Sequence, residues 1–328
     1  MKRIVYTFII VSLTGAYAYG VGAITTQEQK ALLKAVREHV YRRVETLLQN
    51  GADPNVKEDD GRTVLIEAIQ NGDHGIVQLL LKRGANVNEG YQGYTPLMTA
   101  IVIDMPEQSK GIDTPEQSKR IIVNYLLETP GLNVNLKDGG ATALIYAIRS
   151  KNPHLVEQLL DAGADVNIPD EHNMTPLMET TFLKNEGLPI LKLLLKHQVK
   201  NPGELSVSGL VDMTMKNENG ETALMLAVDN GRDDMVEELL EKEEANEEEA
   251  KREKKGLRTW LSRKKKRTID AQDNAGETAL IKAVKKQDSR LIVPLLNNGA
   301  NTKIKDKSGF SVEKDAWFSA TFERVRTK

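Results

Sequence analysis

Residues 220–231 read GETALMLAVDNG, and residues 276–287 read GETALIKAVKKQ. The shared opening, G-x-T-x-L, is not confined to these two places. It recurs as GRTVL from Gly61, GYTPL from Gly93 and GATAL from Gly140, and with one change as NMTPL from Asn173. The threonines are Thr63, Thr95, Thr142, Thr175, Thr222 and Thr278, separated by 32, 47, 33, 47 and 56 residues. Two of these gaps lie near 33, and the other three read as that period plus inserted chain. A second phrase follows at a fixed distance: NGADPN ends at Asn55, RGANVN at Asn88, AGADVN at Asn167 and NGANTK at Lys303. From Thr63 to Gly84, from Thr142 to Gly163 and from Thr278 to Gly299 the separation is 21 residues each time. Self-similarity at a period of 20 to 50 residues signals a stacked-repeat architecture.

The chemistry of one period predicts its structure. Thr63 stands where a helix N-cap belongs, with a hydroxyl able to accept from a backbone N–H of the first turn. In Thr95-Pro96 and Thr175-Pro176 a proline takes the first helical position, where its missing N–H removes nothing. Leu65, Ala68 and Ile69 then fall on one helical face. Gly72 interrupts this short helix. Ile76 to Leu81 form a second helix, closed by Gly84, which can adopt the left-handed conformation. The polar segment VKEDDGRT at 56–63, with Asp60-Gly61 as a tight turn, predicts a protruding loop before the next threonine. Each unit is therefore helix, turn, helix, loop.

These phrases resemble the ankyrin repeat family. Its T-P-L-H-x-A opening and V-x-x-L-L-x-x-G-A-D-x-N continuation, at a 33-residue period, are matched phrase by phrase apart from the histidine. The resemblance implies an all-α ankyrin-repeat solenoid. Its seven units lie near 27–57, 58–90, 91–137, 138–169, 170–216, 217–272 and 273–305, followed by a C-terminal cap at 306–328. The first unit has Ala35, Val44 and Gly51 in register but lacks the threonine phrase, as a terminal unit can. Phe310, Trp317 and Phe318 read as packing of the C-terminal cap. The family's histidine position holds Ile66, Met98, Ile145, Met178, Met225 and Ile281, so an aliphatic side chain is expected to pack there, and the ring's inter-loop hydrogen bonds are lost. Unit five departs at its end, where HQVKNP replaces the G-A-D-x-N phrase.

The excess chain falls in three places. VIDMPEQSKGIDTPEQSKR lies between the helices of unit three, carries PEQSK twice, and offers Thr114-Pro115-Glu116 as a cap and first turn. NPGELSVSGLVDMT at 201–214 reads as a connector. The third insertion, 241–268, separates the two opening phrases. Its acidic start carries Glu247–Lys251 and Glu248–Arg252 pairs at i,i+4, which predict that the second helix of unit six runs on well past Leu240. Beyond Gly256 come Leu257, Trp260 and Leu261 at helical spacing beside Arg263, Lys264, Lys265, Lys266 and Arg267. That pattern suits either a solvated helical hairpin packed back on the stack or a contact with an anionic surface or acidic partner.

Composition narrows the function. The 328 residues carry a formal net charge of −2 and 5% aromatic side chains, so no global field attracts nucleic acid, and none is expected as a partner. There is no cysteine, which excludes disulfides, thiolate nucleophiles and cysteine-held metals. No histidine pair among His39, His74, His154, His172 and His197 has metal-ligand spacing, and no phosphate-binding or nucleophile-elbow phrase occurs. Neither an enzyme nor a cofactor is expected. The chain starts with Lys2-Arg3, an apolar run from Ile4 to about Ala16 and small residues, a pattern for a cleaved signal peptide over 1–23 with cleavage near Ala18 or Ala23. The run falls short of the roughly 20 residues that span a bilayer. A secreted or periplasmic, monomeric protein over 24–328 is the expectation.

For such a stack the function lies on its surface. The resemblance implies a concave face, made of first helices and loop tips, that binds a protein partner. By position, the loop tips before each threonine include Arg62, Tyr94, Met174 and Glu221. The outward positions of the first helices include Glu67, Gln70, Thr99, Tyr146, Arg149, Glu179, Leu226, Asp229, Lys282 and Lys285. Tyr94, Tyr146, Met174 and Leu226 are the side-chain types that interface cores use. The alternative is that the 241–268 insertion is the working part.

Overall fold

The computed structural model describes residues 26–103, 114–197, 211–252 and 268–326. The proposed signal segment, the first PEQSK copy and the basic run with Trp260, Arg263, Lys264, Lys265, Lys266 and Arg267 lie outside them. Among the described residues, seven helix pairs follow one another: α1 Thr26–Arg37 with α2 Tyr41–Gln49, α3 Val64–Gln70 with α4 His74–Lys82, α5 Pro96–Val102 with α6 Pro115–Leu127, α7 Ala143–Arg149 with α8 Pro153–Asp161, α9 Pro176–Thr180 with α10 Gly187–Lys196, α11 Ala223–Asp229 with α12 Asp233–Arg252, and α13 Ala279–Lys285 with α14 Ser289–Asn297. A closing helix α15 spans Ala316–Arg326. First helices pack against first helices of neighbouring units, and second helices against second. The result is a two-layer helical stack.

The threonine phrase acts as its chemistry predicts. The Thr63, Thr95, Thr142, Thr175, Thr222 and Thr278 hydroxyls accept from the N–H of Ile66, Met98, Ile145, Met178, Met225 and Ile281. Those six residues stand where the family has histidine, and every one is 1% exposed or less. One residue per unit therefore supplies its amide to the cap and its side chain to the core. The second helices carry caps of their own that the sequence reading missed: Asp73, Asn152 and Asp288 accept from Ile76, Leu155 and Arg290. Gly84 takes φ +88 past the end of α4, as its position predicts.

Loops are tied by a repeated amide ladder. Asn55, Asn88, Asn135 and Asn167 each accept, through Oδ1, the N–H of the matching residue one unit on: Asn86, Asn133, Asp165 and Asp212, at 2.7 to 2.8 Å. The last of these bonds explains unit five. Its loop phrase is displaced beyond the connector, and Val211-Asp212-Met213-Thr214 resumes the register that HQVKNP appeared to abandon. Nearer the tips, the N–H groups of Glu218, Asn274 and Lys307 bond the carbonyls of His172, Asn219 and Ala275. The loops thus keep inter-loop bonds without the family's histidine. Two tips are two-residue turns, Gln92-Gly93 and Gly139-Gly140, closing the Tyr91–Tyr94 bridge and the Lys137–Asp138/Ala141–Thr142 hairpin. They touch so closely that a Cβ on Gly139 (φ +55) would lie 2.4 Å from the Gly93 carbonyl oxygen.

Two of the three insertions resolve into helix where they are described. The second PEQSK copy is the first turn of α6, with a capping box between Thr114 and Gln117. Helix α12 runs to Arg252, well beyond Leu240. Near the departure of this arm from the stack, Glu243 accepts the Thr268 N–H at 2.7 Å with one carboxylate oxygen and the Thr268 hydroxyl with the other. The neck of the insertion is thereby closed. At the C-terminal end, Phe310, Trp317 and Phe318 pack, partly buried, against the core, in keeping with a cap. Among the described residues no helix is long and apolar enough to cross a membrane, and no cluster of side chains suits a metal ion.

Candidate protein-interaction surface

First helices and loop tips bring most of the sequence-selected residues onto one side of the stack, in three connected groups. The first surrounds Arg62. Its Nη1 donates to Gln70 Oε1 at 3.0 Å and lies 2.7 Å from Glu67 Oε2, and the guanidinium sits 6.0 Å from the centre of the Tyr91 ring. Tyr91 donates its hydroxyl to Asp60 at 2.8 Å and accepts from Gln92 Nε2 at 2.9 Å. The Asp60 carboxyl is held below its ordinary value, first by the Arg62 backbone N–H and then by the Tyr91 hydroxyl. Beside this group an open cleft of about 200 Å³ is lined by Gln70, Tyr91, Gln92, Tyr94, Thr99, Val102 and Ile103. Val102 is 46% exposed, an unusual position for a valine at the end of a helix that is otherwise buried.

The second group spans units three to five. Tyr94 and Tyr146 face each other with ring centres 5.4 Å apart and planes tilted by 46°, within the range where aromatic pairs attract. Burial and then the Tyr94 hydroxyl raise the Tyr146 phenol. Arg149 bridges Asp170 Oδ2, at 2.7 Å, and Glu179. Burial alone would lower the guanidinium's affinity for its proton, but these two carboxylates outweigh it. Met174 presents its sulfur to the Asn217 amide at 3.7 Å.

The third group is an ion cluster over units six and seven. Lys282 Nζ lies 3.1, 2.8 and 3.0 Å from Glu221, Asp229 and Asp273. Lys285 pairs with Glu277 and Asp306 and stands 5.2 Å from the centre of the Phe310 ring. Burial opposes the charge on Lys282, but bonds to Asp229, Asp273 and Glu221 win, and its value rises well above that of an ordinary lysine. Lys285 and Ser308 hold Asp306 far below the ordinary aspartate value.

Three positions read as outward-facing are covered instead. Glu67, Thr99 and Leu226 are 6, 7 and 5% exposed. Neighbouring first helices lie side by side, so positions that point outward on an isolated helix meet the next unit. Leu226 joins the core, Thr99 returns its hydroxyl to the Thr95 carbonyl and borders the cleft, and Glu67 lies under Arg62. Carboxylates also depart from the solvated role expected of them: Asp170 and Asp306 are 4 and 7% exposed and ion-paired. Tyr91, Gln92, Val102 and Ile103 were not singled out by the sequence reading. The signal was present in Tyr91-Gln92-Gly93-Tyr94, whose spacing closes a turn with two tyrosines at its base.

Gln92 is itself strained, at φ +51. A residue other than glycine there costs about 1 kcal/mol, partly offset by glycine's extra freedom in the unfolded chain. Gln92→Gly is therefore expected to stabilise the protein by about 0.5 kcal/mol in urea titrations. A destabilised variant would show that the bond to Tyr91 outweighs the strain.

A stack of capped helix pairs with a polar loop edge defines a helical-repeat solenoid. The chain belongs to the ankyrin repeat family: the family model for ankyrin repeats, in three copies, matches residues 32–106, 117–204 and 184–306. Ankyrin repeats are protein–protein interaction modules. The chain is 31% identical over 151 residues to the putative ankyrin repeat protein FPV034 of fowlpox virus, a match covering 46% of this chain and 32% of that one. It is 24% identical over 212 residues to the neurogenic locus notch homolog protein 1 of Mus musculus, covering 65% of this chain and 7% of the relative. With the mitochondrial disaggregase of Bos taurus it shares 31% identity over 152 residues, 46% and 21% of the two chains. The chain thus spans a third or less of the length of these relatives.

Proposed function

We propose that the protein is a non-catalytic scaffold that binds a protein partner on the concave face formed by its loop tips and first helices, and that it works outside the cytoplasm of the cell that makes it. The observation that carries the binding face is the group of half-buried tyrosines, Tyr91, Tyr94 and Tyr146, beside the exposed Val102. Rigid aromatic side chains with a polar tip are what interface centres use, and loops held by amide ladders limit the ordering cost of association. Export rests on the basic and apolar N-terminal segment alone.

The second reading, a contact with an anionic surface or an acidic partner through residues 241–268, is supported by the closed neck at Glu243 and Thr268, which joins the two ends of the inserted chain. One experiment separates the two. A photo-crosslinking amino acid is placed at position 94, at position 260, or at Glu157 on the opposite helix layer, and the protein is irradiated in its native compartment. A discrete protein adduct from position 94 and none from 157 is expected. Adducts from 260 alone would favour the arm, and equal labelling at all three positions would sink the binding-face proposal.

A further inference from the structure

Three features compete as a finer binding element: the ion cluster around Lys282, the closed neck at Glu243, and the cleft beside Tyr94. In the ion cluster every cation is already paired, and the neck bonds are internal. The cleft differs, because its polar groups are only half used.

The hydrogen bonds fix how both cleft amides are oriented. Arg62 can only donate, so the Gln70 atom it meets is the carbonyl oxygen, and the Gln70 NH₂ group is turned the other way. The Tyr91 hydroxyl spends its proton on Asp60, so it accepts from Gln92, and the Gln92 atom it meets is nitrogen. The Gln92 carbonyl oxygen is then left as an acceptor. Among the described residues neither Gln70 Nε2 nor Gln92 Oε1 has a hydrogen-bond partner. The cleft therefore presents one amide donor and one amide acceptor together with the apolar surface of Tyr91, Tyr94, Val102 and Ile103. Every residue lining the cleft is uncharged, and the charges beside it are engaged with one another: Arg62 lies against Glu67 and Asp60, and Asp60 also accepts from the Tyr91 hydroxyl. A charged group entering the cleft would lose water and meet no charged side chain in its lining. An uncharged aliphatic side chain would lose nothing by entering, and the peptide unit beside it supplies the C=O and N–H that the two glutamines lack.

Resting on the binding face proposed above, we propose that this cleft holds an uncharged aliphatic side chain (Leu, Ile, Val or Met) from an extended segment of the partner, with Gln70 and Gln92 bonding that segment's backbone. The uncharged lining thus selects apolar over acidic or basic anchors, and Val102 sets how large an anchor fits.

The test uses a displayed random-peptide library panned against the full chain. Selected peptides are expected to share one aliphatic anchor without a charge beside it. Their affinity should fall at least tenfold on Val102→Asp, an exposed position where the fold tolerates the change, as checked by an unchanged unfolding midpoint. Gln92→Gly, which keeps the turn and removes the acceptor, should cost a smaller factor of about three to ten. Peptides that anchor through a charged residue, bind Val102→Asp as tightly as the parent, or show no dependence on either position would overturn the proposal. Protein adducts from position 94 alongside such a result would leave the binding face standing and remove only the aliphatic cleft. Loss of both would remove both.

Discussion

Lys282→Met is expected to lower the unfolding free energy by about 3 kcal/mol. The lysine side chain is 10% exposed and stands within 3.1 Å of three carboxylates drawn from units six and seven. Replacing it with an uncharged side chain of similar length keeps most of the packing but leaves those carboxylates facing one another without a cation. Repulsion between like charges and lost hydrogen bonds then act together. The effect is large because one cation serves several partners, whereas an exposed one-to-one pair such as Arg290–Asp288 is screened by solvent and contributes little.

The pH dependence gives the test a second readout. Burial opposes ionisation of Glu221, but bonds from Asn217 and Lys282 outweigh it, so its value lies below the ordinary 4.5. The stability it adds is complete above that value and drains away as pH falls through its folded value. Lys282, with its raised value, adds stability that is complete below the ordinary 10.5 and is lost only as pH climbs past it. The difference between wild type and Lys282→Met should therefore be widest from roughly pH 5 to 10 and narrow in acid, where protonated carboxylates no longer repel. Urea titrations across that range provide the measurement. A difference of under 1 kcal/mol at neutral pH, or one that does not change with pH, would rule out the ion cluster as a stabilising element.

Ile145→Ala should cost about as much for an unrelated reason. Ile145 is fully buried at the position where the family carries histidine, and it is flanked in the stack by the equally buried Met98 and Met178. Truncating a buried isoleucine removes its transfer energy and leaves a cavity, together about 2–5 kcal/mol. Ile145→Val removes one methylene and should cost only about 1 kcal/mol. Neither change touches the Thr142 cap, because the bond to residue 145 is made by its backbone N–H. If the alanine variant were as stable as the valine one, the side chain would not be a core member. Both variants should leave cross-linking from position 94 unchanged.

The parts of this fold that could be read in the sequence are those whose chemistry is local. The threonine that opens a unit specifies a cap, and a glycine after the second helix specifies its end. The start of α6 at Thr114-Pro115 was legible on the same ground. Contacts between units were not legible, because they depend on which face of a short helix the next unit covers. Glu67, Thr99 and Leu226 occupy outward positions by helical count, yet the assembled stack buries them. The ladder from Asn167 to Asp212 crosses an insertion, so no fixed spacing announced it. Of the candidate surface, Tyr94, Tyr146 and Arg149 were found by position. The cleft needed coordinates, since Gln70 and Gln92 come from different units and gain their meaning only from the bonds that turn their amides.

The bond between Glu243 and Thr268 has a consequence for how such a chain can change over generations. A single carboxylate holds the two ends of the arm together, so the loop that any inserted chain must close is already closed at the stack. The entropic cost of a connecting segment grows only with the logarithm of its length, about 0.6 kcal/mol for each doubling. The Glu243–Thr268 bond therefore marks a port: a place where a lineage can lengthen, shorten or exchange a segment at small entropic cost to the closure, and where a protein engineer could do the same.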